Sequence, residues 1–449
     1  MSYSRIAARV LAVASITPAL LLCSGAASVE GAAGPEAVAD GGWSYFGDPR
    51  AIYVSGRTFV GWTTPSGMIQ VGSFRGGRTE DITTVDREAQ GPDGPDAVAT
   101  LDQFGVDDHS NPSLTTTRDE RIVVLYADHA NDRARWGQMY YRVSTRPRDV
   151  REWGPVRTVP GVQRIPGGQG IAYPNPVPLA SGRTLLFWRG NDWWPNVSVT
   201  DDFERWSRPR TLIRGPHKQR PYAKYAGTPT GAFVAYTNAH PNSRATSIYC
   251  LFVRENGDVL RLDGKKVGSP GRPPAYSAGT LVYRYRPSLG RSWIMDVAVD
   301  AGRPVVLYFR RQRDGGNVYR LARWDGRRWV DRPIVAAGDT RADNWYVAGA
   351  TLDHETPNVV YLARRLSPTG PSEVEQWVSP DGGVTWKSAA VTSGSATDNW
   401  RPVSPRGMTG DRTQVWWFTG RYSNYRSFQT GVKLVAGFPL DPGAARRRL

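Results

Sequence analysis

Short apolar runs separated by polar, turn-rich stretches recur along the whole chain, and no sustained helical period interrupts them. Seven runs share one form: residues 58–62 (TFVGW), 122–126 (IVVLY), 184–188 (TLLFW), 232–236 (AFVAY), 304–308 (PVVLY), 358–362 (NVVYL) and 414–418 (QVWWF). Runs this short, apolar at consecutive positions and rich in β-branched and aromatic residues, predict strands buried on both faces. Turn signals such as 181–183 (SGR), 300–302 (DAG) and 409–411 (TGD) precede most of them. The runs return at intervals of roughly 50 to 70 residues, room for four short strands and their loops. The prediction is an all-β chain in one domain, a seven-bladed β-propeller over residues 41–440, with 41–47 lending a strand to close the ring.

One repeat carries a sharper marker. Residues 379–386 (SPDGGVTW) fit the Asp-box pattern S-x-D-x-G-x-T-W, a tight turn between a blade's outer strands. Its aspartate caps the turn and its tryptophan is expected to pack between blades, so it marks the fold and not the chemistry. Weaker echoes lie around Trp206 and at 324–329 (WDGRRW).

Composition refines this picture. The 48 glycines, 34 prolines and 17 tryptophans suit a turn-rich β-protein. Residues 1–27 read as a secretory signal peptide: Arg5 and Arg9, an apolar stretch over 10–22 too short to span a bilayer, then small residues. Cys23 raises a lipid-anchored alternative, disfavoured by Leu22 where such sites want a small residue. Residues 28–40 read as a flexible leader and 441–449 as a solvated basic tail. The expected protein is a secreted monomer with no membrane segment. Without the leader peptide Cys250 is the sole cysteine, which excludes an intramolecular disulfide. Lys and Arg outnumber Asp and Glu by 57 to 41, for a formal net charge of +16. That balance favours polyanionic partners. Export points to an acidic polysaccharide and away from nucleic acid.

Propeller topology then gathers the chemistry. The first, innermost strand of a blade leaves one face and the second returns to it, so the start of one and the end of the other ring the same channel mouth. His109-Ser110-Asn111-Pro112 and Tyr173-Pro174-Asn175-Pro176 place a histidine and a tyrosine in matching register at two such starts. His129, Arg189 and His240 fall at or just past second-strand ends, and Tyr222 and Tyr225 lie near a third start. Arg310, Arg364 and Arg421 take similar places in later blades. A mouth lined by His, Tyr and Arg suits β-elimination at a uronic acid. A cation offsets the sugar carboxylate, a neutral imidazole removes the α-proton, and a tyrosine hydroxyl protonates the leaving oxygen. No cofactor is required; a structural metal is left open. Asp107, Asp108 and Asp128 are the nearby carboxylates, without an obvious pair for glycoside hydrolysis. Single histidines in such proteins are commonly structural, and His217 and His354 are read that way.

Residues 41–52 (GGWSYFGDPRAI) resemble the opening block of the BNR-4 repeat family. Residues 107–113 (DDHSNPS), 173–177 (YPNPV) and 220–225 (RPYAKY) resemble its later blocks, and the likeness spans roughly residues 41–265. The family includes secreted seven-bladed polysaccharide lyases, among them ulvan lyases and rhamnose–glucuronate lyases. The resemblance implies a catalytic set of His109, His129, Tyr173 and Arg189. It favours His109 as base and Tyr173 as acid, with His129 and Arg189 neutralising the carboxylate, although the choice of base between the two histidines stays open. Tyr222, His240, Tyr225, Asn111 and Asn175 are the expected substrate-binding residues. Two other readings remain. One is a sialidase-like exo-glycosidase, to which the Asp box and Arg164-Ile165-Pro166 give weak support and for which Asp48-Pro49-Arg50 offers a better-placed arginine. The other is a non-catalytic carbohydrate-binding propeller using Trp193 and Trp194.

Overall fold

The computed structural model describes residues 34–86, 106–127, 129, 138–163, 170–190, 193–216, 219–242, 244–311, 316–338, 347–367 and 369–440. The signal peptide, the basic tail, Asp128, Arg164-Ile165-Pro166 and His217 lie outside these residues.

Seven antiparallel sheets form the seven blades of a propeller. All seven predicted runs are second strands of their sheets, from Arg57–Thr63 in blade 1 to Arg412–Asn424 in blade 7. Burial on both faces explains their continuous apolar character. In blade 2, Ile122, Val124 and Tyr126 join a core with Ile52 and Phe59 of blade 1. The intervening Val123, Leu125 and Ala127 join Leu186 and Trp188 of blade 3. A strand alternates its side chains between two faces, and here each face meets a neighbouring blade. Each large side chain so buried contributes about 1.5–3 kcal/mol. Gly61 serves the same packing, because a Cβ there would lie 2.7 Å from the Pro112 ring of the next blade. Blade 4 carries six strands, which accounts for the long interval before the fifth run.

The Asp box forms as expected between the third and fourth strands of blade 6. Asp381 accepts from the Val384 and Thr385 amides at 3.0 and 2.8 Å. Trp386 packs on a core shared with blade 5. The echoes take the same place in blades 3 and 5: Asp202 accepts from the Glu204 and Arg205 amides, and Asp325 from those of Arg327 and Arg328.

The start of the chain departs from expectation twice. Glu36–Asp40, expected within a flexible leader, is the outermost strand of blade 7 and pairs antiparallel with Ser427–Pro439. Five residues ending in acidic groups give no local strand signal; pairing with an edge remote in sequence decides their state. Residues 41–47 add no strand to a blade. Instead, 43–50 are buried across the channel, with Trp43 and Phe46 almost fully enclosed. Arg50 holds Asp48 at 2.9 Å and donates to the Ser44 carbonyl. Lys224, 1% exposed, donates to Asp48 and to the Tyr45 carbonyl. This segment is a plug that divides the channel into an upper mouth and a lower cavity. Removing one partner of a buried ion pair leaves a stranded charge. Lys224→Met is therefore expected to cost about 3 kcal/mol of stability, read as a lower urea midpoint; a loss below about 1 kcal/mol would show that Arg50 alone suffices to hold the plug.

Candidate active site

Of the predicted residues of blades 2 to 4, His109, His129, Tyr173, Arg189, Tyr222 and His240 meet at the upper mouth. Asp107 caps a single 3₁₀ turn, Asp108–Ser110, by accepting the His109 amide at 2.9 Å. That cap aims the His109 ring inward. His129 lies two residues past the end of the blade-2 strand Arg121–Ala127. The two imidazoles stack, with ring centres 4.0 Å apart and planes 13° from parallel. Each addresses its own oxygen of Asp107: His109 Nδ1 lies 3.0 Å from Oδ1 and His129 Nδ1 2.9 Å from Oδ2. His109 Nδ1 is also 2.9 Å from Asp108 Oδ1. The contacts of His109 are ionic in character, without the alignment of a hydrogen bond.

Tyr173, Arg189, Trp193 and Tyr222 form the adjoining wall. The Arg189 guanidinium carbon sits 4.6, 4.5 and 4.4 Å from the ring centres of Tyr173, Trp193 and Tyr222. A planar, weakly hydrated cation suits such an aromatic box. Tyr173 lies 5.3 Å from His109, ring centre to ring centre. The plug supports this wall from below, with Phe46 packed against Tyr173 at 5.5 Å and Tyr222 at 4.5 Å. Tyr222 Oη and His240 Nε2 are 3.3 Å apart. Tyr173, Trp193, Arg220 and Arg401 all have left-handed backbone, with φ of 62°, 66°, 53° and 49°. Such conformations are unfavourable for bulky residues and persist where the surrounding packing over-determines them.

Charges are sharply differentiated. Burial disfavours charge on His109, but Asp107 and Asp108 outweigh it and raise its pKa to about 9. Burial, the positive His109 and, less strongly, Arg189 lower that of His129 to about 4, against the pull of Asp107. At neutral pH the pair is one imidazolium beside one neutral imidazole. The neutral His129 gives its Nδ1 hydrogen to Asp107, which leaves Nε2 as the lone-pair nitrogen. His240 is lowered to about 3 by burial and by Arg189 and Arg220. Burial and Tyr222 raise Tyr173 well above the usual phenol range. Tyr222 is pulled below that range, since Arg189 and His109 outweigh its burial.

Asp107, His109 and His129 are the one group among the described residues with donor atoms close enough, within 4.8 Å of one another, to share a metal ion.

Three expected binding residues are elsewhere. Asn111 is fully buried and braces the plug, accepting the Ser44 amide at 3.0 Å. Asn175, 2% exposed, donates to the Phe46 carbonyl at 2.9 Å. Tyr225 is stacked on Phe187 at 4.4 Å inside the core between blades 3 and 4. Asn175 and Tyr225 lie on inner strands as expected and Asn111 caps the turn just before one, but the side each side chain takes was not legible. Arg364 is likewise taken up by Glu375 at 2.6 Å.

The sequence places Arg421 of blade 7 at the mouth, but not Arg401, Tyr422 or Tyr425 of the same blade. Its long hairpin, Arg412–Asn424 and Ser427–Pro439, carries Tyr425 at the tip, whose ring meets His109 edge-on at 4.6 Å. The Asp108 amide donates to the Tyr425 carbonyl at 2.9 Å. Tyr422 donates to Asp108 at 2.6 Å, and Arg401 donates to the same oxygen. Two long uninterrupted strands joined by a tight turn were the available signal.

A family model for BNR repeat-containing family members matches residues 57–337. No curated protein matches the chain. Two solved structures of an ulvan lyase, described as a new family of polysaccharide lyase, superpose with a TM-score of 0.67 at 16% identity, covering 91% of this chain and 96% of theirs. One of them is bound to -[GlcA(1-4)Rha3S]-. An α-L-arabinanase from Penicillium chrysogenum has a TM-score of 0.42 at 10% identity, covering 90% of this chain and 98% of its own. At these identities the likeness is one of fold. The family match, in contrast, extends over more than half of the chain, which belongs to the BNR repeat-containing family.

Proposed function

We propose that this protein is an exported polysaccharide lyase that cleaves a uronate-containing polymer by β-elimination at the upper mouth. The observation that carries this reading is the stacked histidine pair held by one carboxylate beside Tyr173 and the boxed Arg189. Elimination needs a base, an acid and cations facing a carboxylate, and this set supplies each. The electrostatics favour His129 over His109 as base, reversing the role that the family resemblance implies. Nε2 of neutral His129 takes the proton α to the uronate carboxylate. The electron pair left behind forms the C4–C5 double bond as the C4–oxygen bond breaks. Tyr173, held protonated by its burial, gives its proton to the departing oxygen. His109, as imidazolium, and Arg189 face the carboxylate and offset the charge that builds on it.

The ulvan lyase that shares this fold was solved with -[GlcA(1-4)Rha3S]-, and a glucuronate–rhamnose polymer of that type is the substrate class proposed. The excess of basic residues suits it. A glycosidase reading has less support. In the tyrosine–carboxylate pair at this site Asp108 is buried and Tyr422 partly so, and desolvation raises the phenol well above its usual range, so it is a poor nucleophile.

Ultraviolet absorbance during incubation with ulvan, glucuronate–rhamnose gums, pectins and glycosaminoglycans tests the proposal. A rise from a conjugated unsaturated uronate is expected on the glucuronate–rhamnose polymers, with Tyr173→Phe slower by about 10²–10⁴-fold. New reducing ends without absorbance would replace elimination by hydrolysis, and an undiminished Tyr173→Phe would remove Tyr173 as the acid.

A further inference from the structure

Below the plug, the channel opens into a cavity of about 550 Å³ on the face opposite the histidine pair. That volume lies in the usual range of small-ligand sites. Its walls come from the far ends of the inner strands, and its lining divides by chemistry. Pro49, Pro176, Pro178 and Pro229 give rigid apolar surfaces. Thr115, Thr116 and Thr228 add hydroxyl-bearing side chains. At the rim stand His354, Glu355 and Arg406.

The rim is organised. Asp296, 3% exposed, is fixed by the Thr351 hydroxyl at 2.8 Å and the Leu352 amide at 2.9 Å. It meets His354 Nε2 at 3.2 Å. That contact orients the imidazole and leaves Nδ1 as its other polar atom. Glu355 is tied to the Gly407 amide at 2.6 Å. Arg406, half-buried, makes no ion pair among the described residues; its charge is felt by Asp48 and Asp296, which have closer partners. A guanidinium and an oriented imidazole thus face a pocket of apolar plates and hydroxyls.

We propose that this lower cavity is a second ligand site, taking a small sugar acid whose carboxylate meets Arg406 while Nδ1 of His354, whose Nε2 hydrogen is given to Asp296, accepts from a sugar hydroxyl. The threonine hydroxyls and Glu355 then meet the sugar hydroxyls, and the prolines cover the apolar face of the ring. The site is separate from the upper mouth, because the plug and its Asp48, Arg50 and Lys224 network close the channel between them. It does not depend on the lyase reading.

Calorimetric titration of the full-length protein with sodium glucuronate, with glucose as the neutral control, tests it. Saturable binding of glucuronate is expected to survive in Arg189→Ala, which weakens the mouth, and to weaken at least about tenfold in Arg406→Met and in His354→Gln. Turnover of any polymer substrate is expected to be unchanged in Arg406→Met. Binding that vanishes in Arg189→Ala but persists in Arg406→Met and His354→Gln would overturn the proposal. So would equal affinity for glucose, or the absence of saturable binding in the wild type.

Discussion

His129→Ala is expected to lower kcat/KM on a uronate polymer by about 10²–10⁴-fold, the usual contribution of a positioned general base. The pH profile of the unaltered protein is the sharper measurement. With His129 lowered to about 4 and His109 raised to about 9, kcat/KM should rise as pH passes 4, stay level through neutrality and fall near 9. The sign follows from the roles: the base must have lost its proton, and the cation facing the carboxylate must have kept its own. If His109 were the base, activity would instead keep climbing toward pH 9. Asp107 raises both histidines, whereas Asp108 acts on His109 and Arg189 against His129. Asp107→Asn removes the largest support for the charge on His109 and should bring the alkaline limb down toward neutrality. An alkaline limb that does not move would show that Asp108 alone sustains the charge on His109.

Arg189→Lys is expected to be nearly as damaging as Arg189→Ala, each costing about 10²–10³-fold in kcat, the scale of a lost oxyanion donor. Charge is kept in the lysine variant, but three rings within 4.6 Å of the guanidinium carbon fit a flat cation and not a compact ammonium. Single-turnover rates on a uronate polymer would decide it. Recovery of the wild-type rate by lysine would mean that Arg189 acts only as a point charge.

Much of the blade framework could be read in advance because its signals are local. Residues 122–126 are apolar at every position because both faces of the strand meet a blade, and the Asp box has turn chemistry of its own. His109, His129, Tyr173 and Arg189 were legible because strand ends of adjacent blades fall together. Arg401 and Tyr422 were not, since they reach Asp108 across 293 and 314 positions in sequence. Tyr225 shows a different limit: knowing that a residue lies on an inner strand does not say which side of the strand it takes.

The pairing of Glu36–Asp40 with Ser427–Pro439 has a kinetic consequence. The contact that seals the ring, from Thr430 to Gly41, joins positions 389 apart, and closure over such a span is entropically slow. On the ribosome the first strand emerges long before its partner exists. Tyr422 and Tyr425 ride on that last hairpin, so the histidines gain their edge-on neighbour only when the circle is complete. A nascent or partly refolded chain would already hold blades 2 and 3, yet be inert until its two ends had met.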